Sequence, residues 1–447
     1  MKKIINSLLS ITTVLSTITV SASAQQIPPA TKDSAHQWVE QHRTPIDISN
    51  YPSFKQSMMP SLNTMAGAQV VGLGEGTHGT SEFQHVRTWI TRYLCEEKGF
   101  TIIAFENSYG WCIELNKYLQ TGAGNLDTLM RQNLLGMWQN AEITELLQWM
   151  RQYNQTHRHK LQLAGMDYSE TSTNARIIQE AINKLKTPTL TSLTDTLLAR
   201  AQLMDDAYAD MNNAKRTYEW SAVLDNGVKA YEVTKRIKAT LDSLSRQLHR
   251  QLSGAVIKAL YTALYNSELA YYSIYRPVKE GKEASRDEAM AQMVKKISED
   301  QQGAKVIVWA HNAHLARAQI FGDANSGGVA GMYLNEYFSG NYFVVGTGTA
   351  EGAYSSTADR FIVNTSRFKS RSLFPAVPDS WEFLIRAGND KTWYMDTRDR
   401  QYALPLLSLR FTGYRTSDKN DFIMSRLNQL FDGYIFIPVT QATTMQQ

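Results

Sequence analysis

The chain has 447 residues, 43% hydrophobic and 20% charged, an ordinary globular composition with enough apolar material for one large core or two modest ones. A net charge of +4 is small for this length, and no basic stripe concentrates it, which argues against a nucleic-acid-binding surface. Two cysteines, Cys95 and Cys112, make no disulfide framework, and no internal repeat or low-complexity segment stands out.

Met1-Lys2-Lys3 precedes an uncharged run over residues 7–20, and Ala22-Ser23-Ala24 offers small residues for cleavage before Gln25. This predicts a secretory signal peptide over 1–24, not a membrane anchor. No cysteine follows to take a lipid, and no other run is apolar and long enough to span a bilayer. The remainder, 25–447, is expected to be exported, periplasmic or secreted, with no stable membrane anchor.

Residues 26 to about 66 read as a mixed helical and loop lead-in. Val70-Val71-Gly72-Leu73 then runs into Gly74-Glu75-Gly76-Thr77-His78-Gly79, and Thr80-Ser81 opens a segment of helical period. Ser81 with Gln84 predicts a capping box. The unit is strand, tight loop, helix, with one acid and one imidazole in the loop. Phe83, Val86, Ile90 and Leu94 form the apolar stripe of that helix. Arg87 falls in or beside the stripe, where a guanidinium needs an anionic partner.

Glu106 follows the apolar run 101–105, and Asp167 closes a short strand over 161–167. A helix is expected over 138–153, and a long helical insertion over about 172–297, broken at Pro188 and Pro277. Five tyrosines, at 261, 265, 271, 272 and 275, read as packing residues, with an aromatic substrate wall as the other reading. The run 305–310 is a buried strand ending in His311-Asn312-Ala313-His314. Further strands are expected at 342–346, 392–395 and 434–438, with a helix over 420–431. Strands alternating with helices predict an α/β fold, a mostly parallel central sheet covered by helices. In such a sheet Glu75, His78, Glu106, Asp167 and the His311 loop converge on the carboxyl edge, where ligands bind.

Gly74 to Gly79 also matches G-x-G-x-x-G, a dinucleotide fingerprint. A carboxylate inside the loop would face the pyrophosphate, which weakens that reading. Taken together, Gly74-Glu75-Gly76-Thr77-His78-Gly79, Arg87, Phe105-Glu106 and His311-Asn312-Ala313-His314 resemble the erythromycin esterase family, and Arg286-Asp287 with Met290-Ala291 also resembles one of its motifs. The resemblance implies metal-independent ester hydrolysis, with macrolides, whose lactone ring is opened, as the substrate class. The residue between Glu75 and Thr77, often bulkier in that family, is glycine here.

No G-x-S-x-G occurs, so a serine nucleophile is not expected. The scheme is attack by water, with His78 as general base, Glu75 or Glu106 orienting it, and Arg87 and His311 binding the oxyanion. His314, Asn312 and Asp167 are expected to contact a small-molecule ester or lactone. No cofactor is expected. Glu75, His78, Glu106, His311 and His314 could alternatively hold a metal for hydrolysis of another ester or amide, although no H-E-x-x-H is present. A non-enzymatic exported haem- or metal-binding protein is the third reading.

Overall fold

The structure, a computed structural model, describes residues 29–213, 217–320, 327–359, 361–364, 366–387 and 390–446; the expected leader over 1–24 lies outside them. Eleven strands are described: β1 (Arg43–Pro45), β2 (Val70–Glu75), β3 (Ile102–Ser108), β4 (Gln162–Asp167), β5 (Val306–His311), β6 (Tyr342–Ser356), β7 (Lys369–Ser372), β8 (Trp393–Asp396), β9 (Leu407–Arg410), β10 (Phe422–Ser425) and β11 (Gly433–Thr440). The main sheet runs β1-β8-β11-β6-β2-β5-β3-β4, with β7 paired to β6. From β11 to β4 every neighbour is parallel. The edge pairs β8–β11, β1–β8 and β6–β7 are antiparallel.

The central strands are apolar on both faces because helices cover both, as parallel sheets require. On β5, Val306, Val308 and Ala310 join the core beneath the insertion helices, while Ile307 and Trp309 join the opposite core. Phe83, Val86, Ile90 and Leu94 of helix Ser81–Lys98 pack into that second core, as the period demands. Trp309 stacks on Phe105 of β3, ring centroids 5.1 Å apart.

Between β4 and β5 the chain is helical: Ser172–Asn183, Pro188–Asp210, Trp220–Ser243, Ser245–Gln251, Gly254–Tyr275 and Arg286–Asp300. Pro188 opens its helix instead of breaking one, since the first turn has no use for the missing N–H. The last of these helices starts where Ser285 caps the Glu288 N–H, and this start sets Arg286 and Asp287 beside the sheet edge. Among the five tyrosines, Tyr271 is buried and Tyr261 bonds to Asp242.

Two local expectations fail. No capping box forms at Ser81: Thr80 is the N-cap residue and makes no side-chain cap. The Ser81 hydroxyl donates instead to Glu142 (2.6 Å), and Gln84 is drawn inward to Glu75 and Arg87. Nor is 420–431 one helix. Phe422–Ser425 pairs antiparallel with Leu407–Arg410, leaving a 3-10 turn at Lys419–Asp421 and one α-helical turn at Leu427–Leu430. Pairing with the preceding strand as a hairpin overrode the local helical periodicity. Cys95 and Cys112 are both buried free thiols.

Candidate active site

The topology places the acids and imidazoles side by side. In register, Glu75 of β2 lies opposite His311 of β5, and β3, carrying Glu106, and then β4, ending in Asp167, follow. The loop after β2 is held by contacts that only glycine admits. A Cβ on Gly74 would sit 2.2 Å from the Asn312 amide oxygen. Gly79 has φ +75°, and a Cβ there would lie 2.4 Å from the Ser355 carbonyl. Gly76 is likewise pressed against the Thr347 carbonyl, so the family's bulkier residue would need β6 to shift.

Glu75 is fully buried and serves two partners. Its Oε1 lies 2.7 Å from His78 Nδ1, and its Oε2 accepts from Arg87 Nη2 at 2.6 Å and from Gln84 at 3.3 Å. A carboxylate only accepts, so Nδ1 carries the hydrogen and a neutral His78 presents its lone pair at Nε2. No partner engages Nε2 among the described residues. Arg87, 1% exposed, lies between Trp309 and Trp138, with its guanidinium carbon 4.4 and 5.5 Å from the ring centroids. Burial pulls its pKa below the ordinary arginine value, while Glu75 pulls it up. Arg87 thus stands behind Glu75, away from His78. Arg87 Nη2 is committed to Glu75 and Gln84, while Nη1 is a buried donor with no hydrogen-bond partner among the described residues.

The two histidines of the β5 loop are held in opposite charge states. His311 has its Nε2 3.1 Å from the Thr412 carbonyl, which only accepts, and its Nδ1 receives the Ala313 N–H at 3.3 Å. One hydrogen fits that arrangement, so the ring is neutral. Burial first, then the neighbouring His78 and His314, depress its pKa to about 3. His314 lies between two acceptors, Asp287 Oδ1 at 2.8 Å and Glu106 Oε1 at 3.4 Å. Burial opposes its charge, but Asp287 and Glu106 outweigh it and raise the pKa to about 10. His314 is an imidazolium. The oxyanion role expected of His311 is therefore corrected, because its single N–H is spent on Thr412.

Glu106 accepts from Arg286 Nη2 at 3.1 Å and from the His311 backbone N–H at 3.2 Å. Burial would raise its pKa, yet His314, Arg286 and His78 hold it well below the usual carboxylate range. Glu106 does not orient His78; Glu75 does. Asp167 and Arg286 form a two-pronged pair, Nε to Oδ1 at 3.1 Å and Nη2 to Oδ2 at 2.7 Å. Asp167 is thus an anchor for Arg286, not a substrate contact. Asn312 is also committed, its amide bonded both ways to the Thr347 backbone at 2.8 and 3.3 Å. His314 has both ring nitrogens on its acids, with 14% of its side chain exposed.

What remains free matters most. The Arg286 Nη1 group makes no hydrogen bond among the described residues, and the side chain is 13% exposed. Motif reading gave no site role to Gln84, the two tryptophans or the Thr412–Tyr414 loop, none of which carries a site signature of its own; Arg286-Asp287 was visible as a motif, read as a pair that steadies the site or caps a helix. Among the described residues no group of three or more His, Cys, Asp or Glu is placed to hold a metal ion. The same residues show no helix long and apolar enough to cross a membrane.

Comparison with known proteins bears on this geometry. The erythromycin esterase family model matches residues 95–440. The chain is similar to a putative hydrolase, YbfO, of Bacillus subtilis (strain 168), 22% identical over 373 residues that cover 80% of each chain. It is 27% identical to erythromycin esterase type I of Escherichia coli over 274 residues, covering 58% of this chain and 64% of that one. A mutant of the erythromycin esterase EreC, solved in its open conformation, shares the fold at a TM-score of 0.69 and 20% identity, covering 90% of this chain and 98% of its own.

Proposed function

The chain belongs to the erythromycin esterase family, a family of hydrolases, and from that premise we propose that it hydrolyses a carboxylic ester through water activated by His78. The observation that carries this is the Glu75–His78 pair: Nδ1 is fixed on a buried carboxylate, Arg87 neutralises that carboxylate from behind, and Nε2 is left open. His78 Nε2 takes a proton from water as the water oxygen attacks the ester carbon. Glu75 stabilises the imidazolium formed. The carbonyl oxygen becomes an oxyanion, and the Arg286 Nη1 group, on a side chain 13% exposed, is a cationic donor that makes no hydrogen bond among the described residues and can receive it. Collapse breaks the bond to the alkoxy oxygen, which takes the proton from His78.

The substrate we propose is a macrolactone, of which the named relatives supply the precedent, and ring opening would leave acid and alcohol on one molecule. The leader features of residues 1–24 support placing this activity outside the cytoplasm. The test is mass spectrometry of a macrolide panel and simple lactones after incubation with wild-type protein and with His78→Asn. Gain of one water with wild type, lost in the variant, is the expected result. Equal conversion by both would remove His78 from the mechanism. Conversion of simple lactones alone would remove the macrolide assignment.

A further inference from the structure

Resting on the hydrolase reading, we propose that Asp287 is a positioning residue for the reaction: it fixes His314, and through His314 the Glu106 carboxylate that Arg286 shares. The helix Arg286–Asp300 opens with two residues of opposite charge, and both reach the sheet edge. Arg286 takes Asp167 and Glu106, while Asp287 Oδ1 faces His314 Nδ1 at 2.8 Å. His314 Nε2 lies 3.4 Å from Glu106 Oε1, the oxygen that also accepts from Arg286 Nη2 at 3.1 Å. Charges therefore alternate along Asp167, Arg286, Glu106, His314 and Asp287, and the chain closes on itself because Arg286 and Asp287 are neighbours in sequence. Each of the three carboxylates also accepts a backbone N–H: Asp167 from Tyr168 at 2.8 Å, Glu106 from His311 at 3.2 Å and Asp287 from Ala330 at 2.9 Å.

His314 is the joint of this chain. Carboxylate oxygens only accept, so both of its ring nitrogens carry hydrogen and the ring is charged. Burial works against that charge, Asp287 opposes burial more strongly than Glu106 does, and together they raise the pKa to about 10. Of the other titratable groups around it, His311 on the β5 loop is neutral, and Arg286 shares Glu106 with it. Asp287 is itself anchored. Ala330 opens the helix Ala330–Tyr337, whose N-cap residue Val329 offers no side-chain cap, so the carboxylate takes an N–H that this helix leaves unpaired. Without the Asp287 charge, a buried imidazolium is left with one acid and gives up its proton at a lower pH. Nδ1 keeps the hydrogen that an acceptor at 287 still draws, and Nε2 becomes a lone pair facing the Glu106 carboxylate. Glu106 Oε1 is then held by Arg286 alone, and both move from the places in which the reaction uses them.

The experiment compares Asp287→Asn and Asp287→Glu with wild type in kcat for p-nitrophenyl acetate across neutral to alkaline pH, beside urea unfolding and imidazole nitrogen NMR of the full chain labelled at histidine. An amide at 287 still accepts from Ala330, so the fold should stand. In Asp287→Asn the His314 imidazolium signal should give way to a neutral ring about 1–3 pH units lower than in wild type. The variant-to-wild-type ratio of kcat should fall about tenfold for each of those units crossed. Asp287→Glu keeps the charge and should return both readings toward wild type; a Glu variant as displaced as the Asn variant overturns the assignment. A loss of kcat that is the same at every pH, with the imidazolium signal in place, means a structural role and overturns it too. So does an imidazolium lost with no effect on the kcat ratio. Wild type active, His78→Asn inactive and Asp287→Asn equal to wild type at every pH would sink this inference alone. A wild type that turns over no ester would take the hydrolase reading down with it.

Discussion

Arg87→Met tests the idea that a buried ion pair holds the catalytic base. Arg87 and Glu75 are 1% and 0% exposed and meet at 2.6 Å. Removing the guanidinium leaves a carboxylate buried, with only Gln84 and His78 as partners. Breaking a buried pair from one side costs about 3–5 kcal/mol. Methionine keeps an apolar stem between Trp138 and Trp309, so most of the loss is electrostatic, with a cation–π share of roughly 0.5–2 kcal/mol. Glu75→Gln combined with Arg87→Met removes both charges, and the double variant should recover much of the stability. Activity should not return, because a neutral amide in place of the Glu75 carboxylate cannot stabilise the His78 imidazolium. The assay is urea unfolding of the two singles and the double, with the midpoints read at constant m, beside ester turnover. If Arg87→Met loses less than about 1 kcal/mol, or if the double variant's loss is the plain sum of the two singles, the pair does not do what is claimed for it.

Arg87→Lys should also impair turnover, since a compact ammonium cannot reproduce the planar fork that serves Glu75 and Gln84 beside two indoles; full activity in steady-state kinetics would contradict this. His78→Asn should keep the fold and lose about 10²–10⁴-fold in rate, as measured by kcat beside an unchanged urea midpoint. The β5 histidines should give stability limbs of opposite sign. His314, raised to about 10, contributes stability that is complete below its ordinary pKa of about 6.5 and is lost as pH rises toward 10, at about 1.4 kcal/mol per unit. His311, depressed to about 3, and Glu106, depressed as well, contribute stability that is lost as pH falls below their ordinary values. Urea midpoints across pH should show the alkaline limb flattened in His314→Gln and the acid limb flattened in His311→Gln; a limb unchanged in its variant would reassign it. Gly79→Ala meets both a φ of +75° and the Ser355 carbonyl, and should cost about 1–3 kcal/mol in thermal unfolding, along with turnover; wild-type values would show that the loop relaxes freely.

The strands from Val70, Ile102, Gln162 and Val306 were legible in the sequence because short apolar runs between helical periods fit strands of a parallel sheet covered on both faces. The acid or imidazole ending each of them was legible for the same reason: polarity returns where the sheet stops. His78 beside Glu75 was visible as a motif, since the two are neighbours along one loop. The charges on the site were not legible. His311 and His314 are three residues apart and identical in type, yet one is neutral and one is cationic. Their states depend on Thr412 for the first and on Glu106 and Asp287 for the second, at separations of 101, more than 200 and 27 residues. Arg286 reaches Asp167 and Glu106 across 119 and 180 residues, which no local pattern encodes. The β9–β10 hairpin likewise existed only once the two strands met, and with it came the loop bearing Thr412. Local pattern therefore determined which residues stand at the sheet edge. Long-range packing, by closing low-dielectric surroundings around chosen partners, decided which of them hold a proton and which are left free to act.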